Sequence, residues 1–586
     1  MSSVQVRMRS LRASSQNVPW YWWAAAYFVI LTVAMTWPLV LRMGNSVVGS
    51  YGDNLYYVWL IGWFEKANFV LHRSPLFTDL INYPEGWRLA GDEVTPAMVL
   101  AGLPFSLLGG PVLGYNASAL LSFALSGFML CWWVYRLTGR LLAGLIAGTL
   151  FAFSAYRVSH FIAGHLQLLG TQWLVLYFMS LYEALEPSPK SKVWPLAAGL
   201  SLGMVALTSQ YYMYMTFVLT GLWVGLHVVV RGPRYVLRRA YALRLTGILL
   251  IAAPLVLLAE YPYFEAASVG AIPVRDAAMA ANGSASPTDY LLPSNRNPLL
   301  GDWVDDHFDR SLWIEVNLCL GVAASIAALV AVAAPSESER WKGTRLHLVL
   351  LAMGAFVLSL GPKLRWFSGE VRFGLLGPLS TLGHTPSLPL PASLLYQYLP
   401  YYTSLRVPAR YGVYVILIVC VLAGVGFAYL MSHGTKLRRM LLLSGLMAIL
   451  VVELFPWRPR FVKLEGREVD HWLASQPGQG AVAQLPAEDE GTELLAYYTL
   501  IHGRPSVSGH DNLQTPFHAQ LMASLGEVPD QGAIELLRSV GVRYIVVDVE
   551  WYDRIDAFDD LESALADLGL DETAAFEGYR VYTIDP

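Results

Sequence analysis

The chain has 586 residues, 55% of them hydrophobic and 14% charged, with a mean hydropathy of +0.44. A soluble globular chain is about 45–50% apolar and about 25% charged. The charge deficit therefore excludes a soluble enzyme and a disordered chain, and 49 Gly and 33 Pro without a period exclude a collagen-like one. The net charge of −4 hides an asymmetry: residues 456–586 hold 23 acidic and 9 basic side chains, net −14, and the remainder carries net +10. An acidic soluble module on a basic, polytopic membrane body is the reading this split supports.

A spanning helix needs about 20 apolar residues. Eleven stretches qualify or nearly qualify: 22–42, 114–135, 141–155, 166–185, 194–209, 211–230, 245–259, 313–333, 346–361, 411–431 and 441–455. The first is too long for a signal peptide and no small-residue cleavage site follows it. The stretch 96–109 is apolar but short and broken by Pro104, and reads as a re-entrant or interfacial helix. With the N-terminus inside, the inner segments hold 18 Lys and Arg in 70 residues, and the outer loops 12 in 184. That is the asymmetry expected of cytoplasmic loops. It predicts a cytoplasmic segment 1–21, a membrane domain 22–455 with long external loops 43–113, 260–312 and 362–410, and an extracytoplasmic module 456–586. The expected location is the cell membrane.

The long polar loops place the working face outside, because loops beyond about 12–15 residues are usually functional. In the first of them Asp53 follows Gly52 about ten residues past the first helix. A carboxylate there suits a general base toward a hydroxyl. A turn or helix cap at Gly52-Asp53-Asn54 is the alternative. Further on, Asp79, Glu85, Asp92 and Glu93 lie among Phe77, Tyr83 and Trp87, a mixture that suits carbohydrate or an interfacial aromatic belt. Beyond the third span, FSAYRVSHFIAGHLQLL gathers Arg157, His160 and His165 at the outer boundary. Arg157 and His160 share a helix face and are expected to line a cavity. Gln210, Tyr211 and Tyr212 lie at the same level. No carboxylate stands at metal-ligand spacing near the histidines, so no metal site is expected, and no cofactor is indicated.

Residues 301–315 hold Asp302, Asp305, Asp306, Asp309, Arg310 and Glu315, which read as an acidic helix start. Arg406 and Arg410 sit at the outer mouth of the tenth span, where the positive-inside rule disfavours them, and a guanidinium fork there suits a lipid phosphate. Cys131, Cys319 and Cys420 all lie in apolar runs, which argues against a disulfide framework or a Cys-based zinc site. The acidic module reads as a small α/β domain, with strand-like runs at 481–486, 542–549 and 579–585 between amphipathic helices. It has no phosphate loop, nucleophile elbow or HExxH. Its histidines His502, His510 and His518 are too far apart for a local metal site. A rigid lid or acceptor-docking platform without catalytic residues is expected.

These features resemble the GT-C superfamily of membrane glycosyltransferases, the class of protein O-mannosyltransferases and aminoarabinose transferases. The resemblance rests on the Gly-Asp after the first helix, the interfacial helices before the second span, and the basic turn RLTGR (136–140) before a third helix that ends in a polar external cluster. It covers about residues 20–230, and the motifs GDNLYYVW, FTDLINYPEGW, FSAYRVSHFIAGHLQLL and SLRVPAR match a bacterial set of such proteins. It implies a sugar donor on a polyprenyl phosphate, membrane lipids as surroundings, an extracytoplasmic acceptor and no nucleic-acid partner. It also implies that Asp53 activates the acceptor hydroxyl. Those families often carry a second acid near the fourth helix. This chain has Gly164-His165 there, which makes His165 the catalytic partner. Asp79, Glu85, Arg157, His160, Tyr211, Tyr212, Arg406 and Arg410 are the expected substrate-binding residues. A lipid-linked glycan transporter, or a non-catalytic assembly subunit, is the competing expectation. A transporter would need polar residues through mid-membrane and usually an internal repeat, and neither is evident.

Overall fold

The computed structural model describes residues 19–89, 93–185, 192–268, 277–297, 299–308, 313–335, 339–367, 369–371, 388–454, 460–487, 492–509 and 515–585. Asp92, Asp309, Arg310 and His510, which entered the sequence reading, lie outside the described residues.

Helices dominate. Among the described residues five are long and apolar enough to cross a bilayer: Pro111–Thr138, Gln210–Arg231, Arg239–Phe264, Lys342–Ser359 and Pro408–Leu430. Leu141–Ala152 and Ala155–Ile162 pass the same length and composition test only as a pair, bent by 41° where Ser154 leaves the helical backbone; this pair, at the third span read from the sequence, is the bent third crossing. Four shorter apolar helices accompany them: Trp20–Met35, Pro96–Gly109, Val193–Ala206 and Val322–Ala333. At 1.5 Å per residue the last is about 18 Å long, short of the about 30 Å of hydrocarbon. The chain is a multi-pass membrane protein. In Arg239–Phe264 only 11% of the apolar window is buried within the protein, and such a surface is stable only where lipid solvates it.

Two elements differ from their sequence expectation for local reasons. The first helix ends at Met35 rather than at 42, because Pro38 has no N–H to donate and its ring clashes with the preceding turn. In the stretch 313–333 the helix begins only at Val322, after Gly321 in the left-handed region at φ +78°.

The largest core runs between the membrane helices around Trp133, Tyr177, Trp223 and Tyr414. Helices meet there through small residues, as membrane helices do when burial from water cannot drive them together. A Cβ on Gly426 would lie 1.8 Å from the Ala327 carbonyl oxygen.

The C-terminal residues carry a four-stranded sheet in the spatial order Ala481–Leu485, Val542–Asp548, Tyr579–Thr583, Glu572–Phe576. The first pair is parallel and the other two are antiparallel. This part is bound firmly to the loop and helix that follow the first helix. Ser46–Val48 pairs antiparallel with Phe461–Lys463. Tyr83 N–H donates to Ser506 O and Ser506 N–H to Leu80 O. The helix Thr492–His502 packs along the helix Asp53–Glu65, with Trp59 Nε1 donating to Thr499 Oγ1 at 3.3 Å. Trp59, Trp63, Tyr497 and Tyr498 belong to one continuous apolar core, so burial from water holds the two parts together.

The closest approach in that interface is at Gly62, where a Cβ would lie 2.5 Å from Leu500 Cδ1 and 3.2 Å from Pro111 Cβ. Gly62→Leu overpacks it at a cost of about 1–3 kcal/mol. Limited proteolysis should then cut near residue 460 several-fold faster than in the parent protein. An unchanged cleavage rate would mean that this contact does not hold the C-terminal part in place.

Candidate functional site

Asp53 is the first residue of the helix Asp53–Glu65, and Gly52, which precedes it at the N-cap, has no side chain to cap the helix. It is 54% exposed and faces open space. The carboxylate sits at the positive end of the helix dipole. Asn54 pins the preceding turn, its Nδ2 donating to Val48 O at 3.1 Å and Ser50 O at 2.8 Å.

A backbone approach brings the second element to Asp53. Gly164 has φ +81°, and a Cβ there would lie 2.2 Å from Asn54 N. Gly49, at φ +102°, likewise leaves no room for a Cβ, which would meet Ile162 O at 1.9 Å. The end of the bent third crossing therefore lies backbone to backbone against the first loop. His165 follows, its Nε2 3.3 Å from Asp53 Oδ2.

From His165 a polar chain runs inward. His165 Nδ1 and His160 Nδ1 are 2.8 Å apart and share a hydrogen bond whose direction follows from the tautomers. His160 Nε2 lies 3.8 Å from Glu315 Oε2. Both Glu315 oxygens receive the Arg410 guanidinium, Nε to Oε2 at 3.0 Å and Nη2 to Oε1 at 2.6 Å. Tyr211 lies against Arg410, with the guanidinium carbon 4.4 Å from its ring centroid. Burial alone would raise the pKa of Glu315, but Arg410 and the two histidines hold it at about 2. Burial lowers His165 below the ordinary imidazole value, with Asp53 and Glu315 pulling the other way. Near neutral pH His165 is thus uncharged. With Nε2–H toward Asp53 it accepts at Nδ1 from the Nδ1–H of His160.

Of the expected residues, Asp53, His160, His165, Tyr211 and Arg410 are brought together. Arg406 is exposed, and its charge still acts on His165. Arg157 lines no cavity. It is fully buried, donating to Ala152 O at 3.1 Å, Ser122 Oγ at 2.9 Å and Leu169 O at 3.0 Å, and it ties three segments together. Tyr212 is likewise buried, its hydroxyl donating to Leu168 O at 2.9 Å. Asp79 is taken up by Arg73, with Nη1 to Oδ2 at 3.0 Å. Glu85 accepts from the Thr515 hydroxyl and so serves contact with the C-terminal part. Arg410 is engaged by Glu315 and is not a free phosphate ligand. Glu315 itself belongs to the buried site rather than to a solvated helix start.

Three residues of the region carried weak sequence signals. Glu93, read only as a loop acid, accepts from Ser209 Oγ at 2.7 Å and lies within the field of Arg410. Gln167 joins it. Glu260, buried and close enough to interact with Glu93, has no hydrogen-bond partner for Oε1. A lone acid in an otherwise apolar span is the signal that could have found Glu260.

His160, His165 and Glu315 offer ligand atoms within 4.8 Å of one another, enough to hold a metal ion. The sequence has no carboxylate at ligand spacing, and the fold supplies one. The Arg410 fork occupies both oxygens of that carboxylate and places a positive charge where a cation would sit. The arrangement is therefore built as a charge-compensated hydrogen-bond chain.

A family model described as "Domain of unknown function (DUF6311)" matches residues 23–385. No curated protein matches the chain. A cryo-EM structure of the arabinofuranosyltransferase AftD from Mycobacteria is similar over 98% of this chain and 40% of that one, at 14% identity and a TM-score of 0.59. Its R1389S mutant, class 1, gives 98% and 42%, at 15% identity and a TM-score of 0.54. ArnT from Cupriavidus metallidurans, in a crystal structure bound to undecaprenyl phosphate, gives 96% and 97%, at 14% identity and a TM-score of 0.49. These structural neighbours are GT-C glycosyltransferases, and at such identities the likeness is one of fold. The chain spans about 40% of the length of AftD.

Two outcomes follow from the electrostatics. Removing one member of the buried pair leaves the other uncompensated, at about 3–5 kcal/mol. Glu315→Gln and Arg410→Met should each lower Tm sharply, and the double variant should lose less than the sum. Additive losses would mean that the pair is not coupled. The second outcome concerns pH. Below about pH 6.5 the unfolded chain binds a proton at His165 that the folded chain resists, so stability rises with pH through that window. Glu315 adds stability that is complete above its ordinary carboxyl range and is lost as pH falls toward 2. Tm in detergent should fall between pH 6.5 and 5, and His165→Gln should flatten that limb. A Tm that rises on acidification would contradict the burial of His165.

Proposed function

This chain belongs to the DUF6311 family, and we propose that it transfers a sugar from a polyprenyl-phosphate donor to an extracytoplasmic acceptor with inversion at the anomeric carbon. The observation that carries this reading is the chain Asp53–His165–His160–Glu315–Arg410, set in a fold shared with AftD. Asp53 takes the proton of the acceptor hydroxyl as its oxygen attacks C1. The bond from C1 to the phosphate oxygen breaks and leaves its electron pair on the phosphate. Arg406, exposed beside the site, offsets the charge that develops there, as preorganised donors do in other transfer reactions. His165, neutral and donating from Nε2, orients that carboxylate. The neighbouring Glu93 and Tyr211 suit the sugar hydroxyls.

The positive-inside asymmetry supports an outward-facing site, a cytoplasmic N-terminus and an extracytoplasmic C-terminal module, with the membrane body at 22–455 and the module at 456–586. The packing of Thr492–His502 along the Asp53 helix supports a platform that steadies the base and docks the acceptor.

A positioned general base contributes about 10²–10⁴-fold. In proteoliposomes supplied with radiolabelled polyprenyl-phosphate sugar, Asp53→Asn should reduce transfer by at least 100-fold, and His165→Gln by less. Chelation with EDTA should leave the parent rate unchanged. Near-normal turnover in Asp53→Asn would remove Asp53 as the base, and loss with EDTA restored by a divalent cation would place a metal on His160, His165 and Glu315.

A further inference from the structure

A second cavity lies behind the polar chain. It has a volume of about 220 Å³ and is bounded by Trp20–Met35, the bent third crossing, the segment 313–322, Pro408–Leu430 and the end of Lys436–Glu453. Ser159 and Trp313 line it, whereas His160 and Glu315, their near neighbours, belong to the site already described. Ser159 Oγ donates to Ile314 O at 3.0 Å and locks these two segments into one wall. The cavity is thus a separate space on the other face of that wall.

Its lining is mixed. Met35, Val158, Ile416 and Val452 form its apolar end, and Ser154, Arg296, Asn317 and Glu453 its polar groups, with both Glu453 oxygens taken by the N–H groups of Val322 and Ala323. Val452 and Val322, both on its rim, are 45% and 57% exposed. In a membrane body exposed apolar residues face lipid, so the apolar end opens to the bilayer. At the polar end Asn317 is 2% exposed, and its Oδ1 has no hydrogen-bond partner, while its Nδ2 donates to Ser294 Oγ at 2.8 Å. Ser154 is 6% exposed, and its hydroxyl is also unpartnered. Arg296 lies over the Trp313 ring at 4.6 Å, and no carboxylate partners it among the described residues. A buried polar atom without a partner costs about 1–3 kcal/mol, and two lining one cavity mark where a ligand's polar atoms belong.

The geometry points to a binding site for a membrane lipid whose head carries both a phosphate and a hydroxyl. The guanidinium of Arg296 takes the phosphate. Asn317 Oδ1 can only accept, so it requires a donor, which the hydroxyl supplies. The first carbons of the chain lie between Val158, Ile416 and Val452. The volume equals about seven waters at about 30 Å³ each, below the about 300–1,000 Å³ that encloses a drug-sized ligand. The cavity therefore seats the head and leaves most of the chain in the bilayer. A glycosylated polyprenyl phosphate and a hydroxylated bilayer phospholipid share this chemistry. Because the site stands apart from Asp53, it does not depend on the transfer reaction.

The test is native mass spectrometry of the full chain released from nanodiscs. The nanodiscs contain phosphatidylglycerol, a polyprenyl-phosphate monosaccharide or phosphatidylcholine, whose head has a phosphate but no donor. The parent protein should retain one molecule of at least one hydroxylated lipid and at least tenfold less phosphatidylcholine. Asn317→Leu and Arg296→Ala should each reduce retention at least tenfold, and Val158→Trp, which fills the apolar end, should abolish it. Preference for the polyprenyl lipid would identify the occupant as the carrier, and preference for phosphatidylglycerol as a bilayer lipid. Asp53→Asn should retain lipid like the parent, so a failed transfer assay leaves this result readable. Equal retention of all three lipids by the parent, or retention unaffected in Asn317→Leu and Arg296→Ala proteins of parental Tm, would overturn the site.

Discussion

The site depends on one close approach. Gly164 lies against the backbone of Asn54 with no room for a Cβ, and its left-handed conformation is one that glycine adopts without steric cost. A larger residue would have to push the end of the bent third crossing away from the start of the Asp53–Glu65 helix. His165 and Asp53 would then separate, and the polar chain would lose its outward end. The contact joins two segments distant in sequence, so it forms only once the membrane helices are packed.

The inward end is governed by a different balance. A carboxylate and two imidazoles buried among helices are costly in a medium of low dielectric. The Arg410 fork removes the net charge of Glu315, and His165 stays neutral because burial resists its protonation. The result is a chain of groups that orients Asp53 without accumulating charge. At its other end stands the Asp53 carboxylate, half in solvent, in a position to meet a hydroxyl. Arg157, by contrast, spends its donors on two carbonyls and a hydroxyl. Its role is to hold the helices that carry the site.

Much of this was legible in the residues. The charge asymmetry, the apolar stretches and the Gly-Asp and Gly-His motifs place a polar cluster at one end of a helical membrane body, and Asp53, His165, His160 and Arg410 do meet. What local patterns could not convey is partnership across long separations. Glu315 looked like one acid among several at a helix start, and only the packing of Ile314 against Ser159 sets it beside His160. Arg410 looked free because its carboxylate lies 95 residues away. Glu85 looked like a sugar ligand, yet it faces Thr515, across the interface with the C-terminal part. Helix ends were misjudged where a proline or a left-handed glycine stops the backbone, as at Pro38 and Gly321.

The account makes Asp53 a base in a single displacement, and such a step inverts the anomeric carbon. The most direct test is the configuration of the product, read by the proton coupling constant at C1 in NMR after transfer from a polyprenyl-phosphate sugar of defined anomer. The account predicts the opposite anomer in the product. Retention of the donor's configuration would require a covalent sugar–enzyme intermediate and would contradict it.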